Sequence, residues 1–295
     1  MVGIGGLGHM GVKLSHALGA HTVAFTTSLR GLIDAVLHVE VLHEGVHSGS
    51  ASGVVPDSFR IARMLLDRIE DAATGRVLIP ELWADVPAGR RDEIAAVAGD
   101  LGDAITRRYP YVPGAGPVIP GDAAADQLTA KTWAPTLTVI GADGLPSTAV
   151  AGNVLRPSTT LGLSFRLPPS IDGLEAGRAI ERTLTEDPPY GAGVTVRVNS
   201  AEGGWDAPPT AGWLAAAMDH ASSVTFGHPA RALGEGGSIP FMRMLGERFP
   251  QAQFMLTGVL GPESNAHGPN EFLHLPTGRN LTAAVAIVLD AHARR

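Results

Sequence analysis

An α/β protein carrying a ferredoxin-like β-α-β-β-α-β unit is the fold class that three features of this sequence predict. Apolar residues alternate at Ala35, Leu37, Val39 and Val41 and again at Leu161, Leu163, Phe165 and Leu167, the period of a strand. Others recur at helical spacing, at Phe59, Ala62, Leu65, Leu66 and Ile69 and at Leu174, Ile180 and Leu184. The 37 glycines and 22 prolines are spread between these periodic segments, as punctuation of a folded chain and not as a low-complexity tract.

In order, the first strand covers 35–42 and the first helix 59–69, with Gly75 as its stop. A second strand is expected at 136–140 and a third over 159–167, ended by Pro168 and Pro169. A helix around 174–184 and a strand through Val194, Val196 and Val198 complete the split βαβ arrangement, with both helices on one face. The segment at about 76–135 is too long for a loop and has its own helix, Ile94, Val97, Leu101 and Ile105, so it reads as an insertion. After Ser200 a helix over 213–224, a short helix within 234–249, a strand at 254–259 and a last helix over 277–293 read as the end of an α/β layer. The domains expected are thus a leader at 1–28, a lid at 29–200 with its insertion, and a C-terminal part at 201–295.

Composition narrows the function. Lys and Arg number 22 against 29 Asp and Glu, a formal charge of -7, which leaves no basic footprint for nucleic acid or an anionic membrane. With no cysteine, disulfides, thiolate zinc ligands and a thiol nucleophile are excluded, and any metal falls to His, Asp and Glu. The absence of a long apolar run and of a basic, cleavable start makes a cytoplasmic protein the expectation.

Three loops are richer in polar residues and glycine than a connection requires. In the loop 44–53, His47 stands among small residues, and an imidazole there could donate to a developing oxyanion; the plain alternative is a solvated loop histidine. At 152–157, Asn153 and Arg156 stand at a strand entrance, where Arg suits a bidentate grip on a carboxylate and an ordinary surface ion pair is the alternative. The third region pairs Glu235, Gly236 and Ser238, in Glu-Gly-Gly-Ser-Ile-Pro, with His267, in Ser-Asn-Ala-His-Gly-Pro-Asn-Glu. Trp205 and Trp213, with nothing basic around them in sequence, read as packing residues.

Taken together and in this order, these loops resemble the di-zinc metallopeptidase family of carnosinases, bacterial dipeptidases and acetylornithine deacetylase-like amidohydrolases, over about residues 26–295. That resemblance implies a ferredoxin-like lid and dimerisation domain inserted into a zinc-binding α/β domain. It implies that His267 is a zinc ligand and that His47 reaches into the partner subunit's site to steady the tetrahedral intermediate. Asn153, Arg156 and Ser238 then lie near the substrate carboxylate, and Glu235 and Gly236 shape that pocket, for a small peptide or N-acyl amino acid substrate. A homodimer through the lid is implied as well. The family's His-x-Asp segment, bridging aspartate, Glu-Glu pair and following aspartate have no counterpart in this sequence. Since catalytic zinc needs about three protein ligands, the expectation is a hydrolase that is catalytically incomplete, with a non-catalytic dimerising lid protein as the alternative.

The first 28 residues resemble instead the start of the coenzyme domain of zinc-dependent medium-chain alcohol dehydrogenases, with Gly3, Gly5, Gly6 and Gly8 as the fingerprint and Thr26-Thr27-Ser28 as a natural junction. Binding of NAD(P) would need an acidic residue about 20 positions after the glycines, and no Asp or Glu precedes Asp34. A dehydrogenase fragment is therefore the third reading, behind a leader that supplies a strand and helix to the α/β layer.

Overall fold

The computed structural model describes residues 24–107, 109–119, 122–237, 239–259, 261, 264 and 269–295. In chain order the principal elements are β1 (Ala24–Leu29), β2 (Gly31–Glu40), β3 (Val46–His47), α1 (Ser58–Leu66), α2 (Ala88–Leu101), α3 (Ala124–Trp133), β4 (Thr136–Asp143), β5 (Val154–Leu155), β6 (Ser158–Leu167), α4 (Gly173–Thr185), β7 (Gly193–Glu202), β8 (Trp205–Asp206), α5 (Gly212–Phe226), β9 (Arg231–Glu235), α6 (Pro240–Arg248) and α7 (Leu275–Ala293). They fall into two compact units, one of Gly31–Ala84 and Ala134–Gly203, the other of the residues up to Arg30 with Asp85–Trp133 and Gly204–Arg295.

The first of these is built on one antiparallel sheet in the order β4-β6-β2-β7. Numbered within the unit this is 2-3-1-4, the ferredoxin-like order expected from the sequence. Ile33, Ala35, Leu37 and Val39 of β2 and Leu161, Leu163, Phe165 and Leu167 of β6 are buried on one face, against Ile61 and Leu65 of α1 and Ala179, Ile180 and Leu184 of α4. Their alternation with half-exposed neighbours is what a sheet covered on one side demands. Each helix starts on an aspartate cap: Asp57 accepts from the Arg60 N–H at 2.8 Å, and Asp172 from Leu174 and Glu175. Phe59 and Leu174, which the helical spacing counted as apolar-face residues, are exposed, because each lies in the first turn beyond the edge of the sheet-facing stripe.

The other unit has a three-stranded sheet, β8-β1-β9, in which β1 runs parallel to β9 and antiparallel to β8. All six residues of β1 are buried. Ala24 faces Ile94, Val97 and Leu101 of α2 with Leu128 and Trp133 of α3, while Phe25 faces Leu214 and Met218 of α5 with Leu281 and Val288 of α7. Alternate residues of one strand thus enter two cores, the arrangement of a parallel strand covered on both sides. The middle of the expected insertion, residues 85–133, packs here with its helices α2 and α3.

Two sequence expectations are corrected. Residues 254–259 form no strand; the segment runs beside β1 with one backbone bond, Thr26 N–H to the Leu256 carbonyl at 2.9 Å, and a bond from the Thr257 hydroxyl to the Ala24 carbonyl. Part of that edge of β1 is taken by β8 instead. Conversely, the sequence pattern assigns no element to 231–233 and a turn from Gly234, whereas Arg231–Glu235 is strand β9. A side chain at Gly234 would fall 2.2 Å from the Ser28 hydroxyl and 3.3 Å from Thr132 Cβ, so glycine fits here without a shift of either neighbour. The leader's glycines Gly3, Gly5, Gly6 and Gly8 and its expected helix lie outside the described residues.

Candidate functional site

Two of the loops singled out from sequence meet in the ferredoxin-like unit. Strands β3 and β5 pair Val46 with Leu155 and His47 with Val154, and the Ser48 N–H donates to the Asn153 carbonyl at 2.9 Å. His47 and Asn153, more than a hundred positions apart, therefore flank one another on a two-residue ribbon. Just beyond it the Pro157 carbonyl accepts from the Val41 N–H at 2.8 Å, which ties the ribbon to the end of β2. The buried Ser58 hydroxyl, at the start of α1, donates to the Arg156 carbonyl at 3.3 Å and lies 2.9 Å from the Thr159 hydroxyl. The backbone on both sides of Asn153 and Arg156 is thus anchored by main-chain and buried hydroxyl bonds.

The side chains themselves are left available. His47 and Asn153 are exposed and Arg156 is half-buried, and among the described residues no hydrogen bond or ion pair engages the imidazole, the amide or the guanidinium. Beneath the imidazole lies Gly49, where a side chain would stand 2.8 Å from His47 Cε1 and 3.1 Å from Nδ1. With glycine at 49 the ring keeps this position without rotating away. Chemically the ribbon offers an imidazole donor, an amide and a cationic fork on a fixed backbone, groups suited to a carboxylate and a developing oxyanion.

In the other unit Glu235 closes β9, at the carboxyl end of a parallel pair, where open α/β sheets place their binding loops. Its side chain is buried, and Lys131 Nζ from α3 lies 3.4 Å from Oε2. The Glu235 carbonyl accepts from the Arg30 N–H at 3.2 Å. Gly236 follows, lying against Lys131. Ser238 and His267, the remaining candidates, lie outside the described residues.

Sequence reasoning missed two polar anchors. Arg90 of α2, 8% exposed, donates to Glu93, to Asp206 at 2.9 Å and to the Ala207 carbonyl, and Glu93 in turn accepts from Thr27 at 2.6 Å. Lys131 is the other. Neither stands in a motif, and apart from Glu93, three positions on from Arg90, their partners are distant in sequence, so spacing alone does not mark them. Trp213 packs against the core between α5 and α7, as expected, and the Arg295 guanidinium, 82 positions away, adds a cation–π contact 4.5 Å from its ring centre. Trp205 is buried edge-on to Phe254, as a packing residue should be.

Among the described residues no three of His, Asp and Glu are grouped so as to hold a metal ion. That part of the chain therefore does not fit the donor set of a catalytic zinc, about three side chains with one open position. No helix among the described residues is long and apolar enough to cross a membrane.

No family model matches the chain. In sequence it is 29% identical over 252 residues to the cysteinylglycine-S-conjugate dipeptidase of Corynebacterium striatum, covering 83% of this chain and 52% of that protein. A stretch of 28 residues, 10% of this chain and 8% of the other, is 82% identical to the aldehyde reductase YahK of Escherichia coli. Among solved structures, the di-peptidase Dug1p of Saccharomyces cerevisiae matches with a TM-score of 0.71 at 19% identity, over 93% of this chain and 57% of that one. Human carnosine dipeptidase 1 matches with 0.69 at 17%, over the same shares of the two chains. The chain therefore has the mixed α/β fold of these dipeptidase structures, is similar in sequence to a bacterial dipeptidase over most of its length, and spans little more than half the length of each.

Proposed function

We propose that this chain carries the substrate-gripping residues of a cytoplasmic, dipeptidase-like hydrolase acting on small peptides or N-acyl amino acids, and that it does not complete a zinc centre by itself. The observation that carries the reading is the β3–β5 ribbon, which sets His47 beside Asn153 and leaves the nearby Arg156 guanidinium unengaged among the described residues. In this reading Arg156 holds the substrate carboxylate through paired N–H donors, Asn153 orients it, and His47 donates to the oxygen that gains charge as the amide carbonyl is attacked. For Ser238 the family resemblance implies a place near that carboxylate, and for Glu235 and Gly236 a part in shaping its pocket. Zinc is the cofactor that the family resemblance implies, with His267 as one ligand. The other ligands and the general base have no counterpart in these 295 residues, so in this reading hydrolysis needs donors from outside them.

A second reading, a non-catalytic protein that dimerises through its lid, draws on strand β4. It forms one edge of the four-stranded sheet, and Val139 and Ile140 on it are 45% and 63% exposed. An apolar edge with open backbone groups favours pairing with a second copy. Both readings include the homodimer; they differ in ligand binding.

Calorimetric titration of the full chain with a dipeptide, zinc present in the buffer, separates them. The hydrolase reading expects saturable binding that Arg156→Ala weakens by about tenfold to a hundredfold, the usual cost of losing a hydrogen-bonded charge. Absence of saturable binding by the wild-type chain, or equal affinity in R156A, would overturn it.

A further inference from the structure

We propose that Lys131 is a positioning residue for the Glu235–Gly236 segment, holding in place the start of the loop that binds substrate; the inference rests on the function proposed above. Helix α3 lies in the segment that the sequence presents only as an insertion, and nothing in its pattern marks a functional residue. Yet Lys131 engages this strand end in three ways. Its ammonium is 3.4 Å from the Glu235 carboxylate, whose side chain is 6% exposed. Its carbonyl accepts from Arg30 Nη1 at 3.0 Å, while the Arg30 N–H donates to the Glu235 carbonyl at 3.2 Å. Its backbone and stem lie beneath Gly236, where a side chain would meet the Lys131 carbonyl at 3.5 Å and Cε at 3.9 Å.

These contacts form a closed circuit through three chain segments: the end of β1, the end of α3 and the end of β9. A buried carboxylate needs a partner of opposite charge or it takes up a proton, and Lys131 supplies that partner at the last residue of the strand. The direction in which the chain leaves β9 is then set by a pair whose members come from different elements. Lys131 touches no substrate in this account; it acts through Glu235 and Gly236.

The test is the same dipeptide titration of the full chain with zinc in the buffer, applied to variants at position 131, with thermal melting read in parallel. Lys131→Met should weaken binding by about tenfold, and Lys131→Arg, which restores a cation, should recover most of the loss. On an E235Q background K131M should cost less than about twofold, since a residue that acts through Glu235 has nothing left to position. Removing one member of a buried pair can unfold a chain, so Lys131→Gln, which still offers the carboxylate a donor, is measured as well and should fold with binding weakened by about threefold or more. Wild-type affinity in K131M or K131Q, or an equal loss with and without E235Q, overturns the inference and leaves the proposed function standing. Absence of binding by the wild-type chain overturns the proposed function, and the inference with it.

Discussion

Gly49, Gly234 and Lys131 show how single positions set the geometry of the candidate site. The first leaves room for the His47 ring, the second for the Ser28 hydroxyl on β1, and the third supplies the charge beside a buried carboxylate. Only some of this is legible in a sequence. A glycine among small polar residues marks a loop of interest, but the contact that favours glycine is seen only when its neighbour is in place. Titration is equally local. Glu70 heads a two-residue ladder with Arg76–Val77, and burial, followed by the neighbouring Asp71, pushes its carboxyl up from the ordinary value near 4.5. Asp71 is held low by the Thr74 hydroxyl and the Ala73 N–H. A carboxyl raised on folding contributes stability that is present below its unfolded value and is lost as the pH rises through its folded one. Glu70→Gln should therefore raise the melting temperature at pH 7, with the gain shrinking as the pH falls towards 4. A gain that persists unchanged at pH 4 would point away from the carboxyl.

At the scale of elements, long periodic segments were readable and short ones were not. Strands β2 and β6 bury every second residue over ten positions, and their order with α1, β4, α4 and β7 gave the ferredoxin-like unit. Strand β9 has five residues, Arg-Ala-Leu-Gly-Glu, of which Leu233 is the single large apolar one, so its buried, parallel role rests on β1 and on the helices around it. The segment 254–259 errs in the other direction: its apolar residues are drawn to the β1 edge and to Trp205, but β8 takes part of the ladder. Strand β1 combines both cases. It spans Ala24–Leu29, across the Thr26–Ser28 junction expected from the two resemblances, and pairs with β9 on both sides of it. The exposed β4 edge carries the expectation for assembly. Light scattering of the wild-type chain at micromolar concentration should give a dimer mass, and Ile140→Lys should shift it towards the monomer by placing a charge on the edge. A monomeric wild-type chain, or an unaltered mass in I140K, would exclude pairing through this strand.

For the whole molecule, which unit a segment joins was beyond the reach of local pattern. Ile94, Val97 and Leu101 of α2 and Leu128 and Trp133 of α3 would suit any core, and their burial against Ala24 and Leu233 is decided by partners far away in the chain. The same limit applies to the site. His47, Asn153 and Arg156 were legible as unusual loop residues, and the ribbon that relates the two loops is a product of folding. His267 and Ser238 lie outside the described residues, and the described remainder holds no group of three metal-binding side chains. The central claim is that this chain carries substrate-gripping residues without a complete zinc centre. Zinc content of the purified full chain after mild dialysis, measured by elemental analysis beside a dipeptide hydrolysis assay, tests it most directly. The account predicts far less than the two zinc ions per chain of a di-zinc centre and no turnover. Two retained zinc ions with turnover by this chain alone would contradict it.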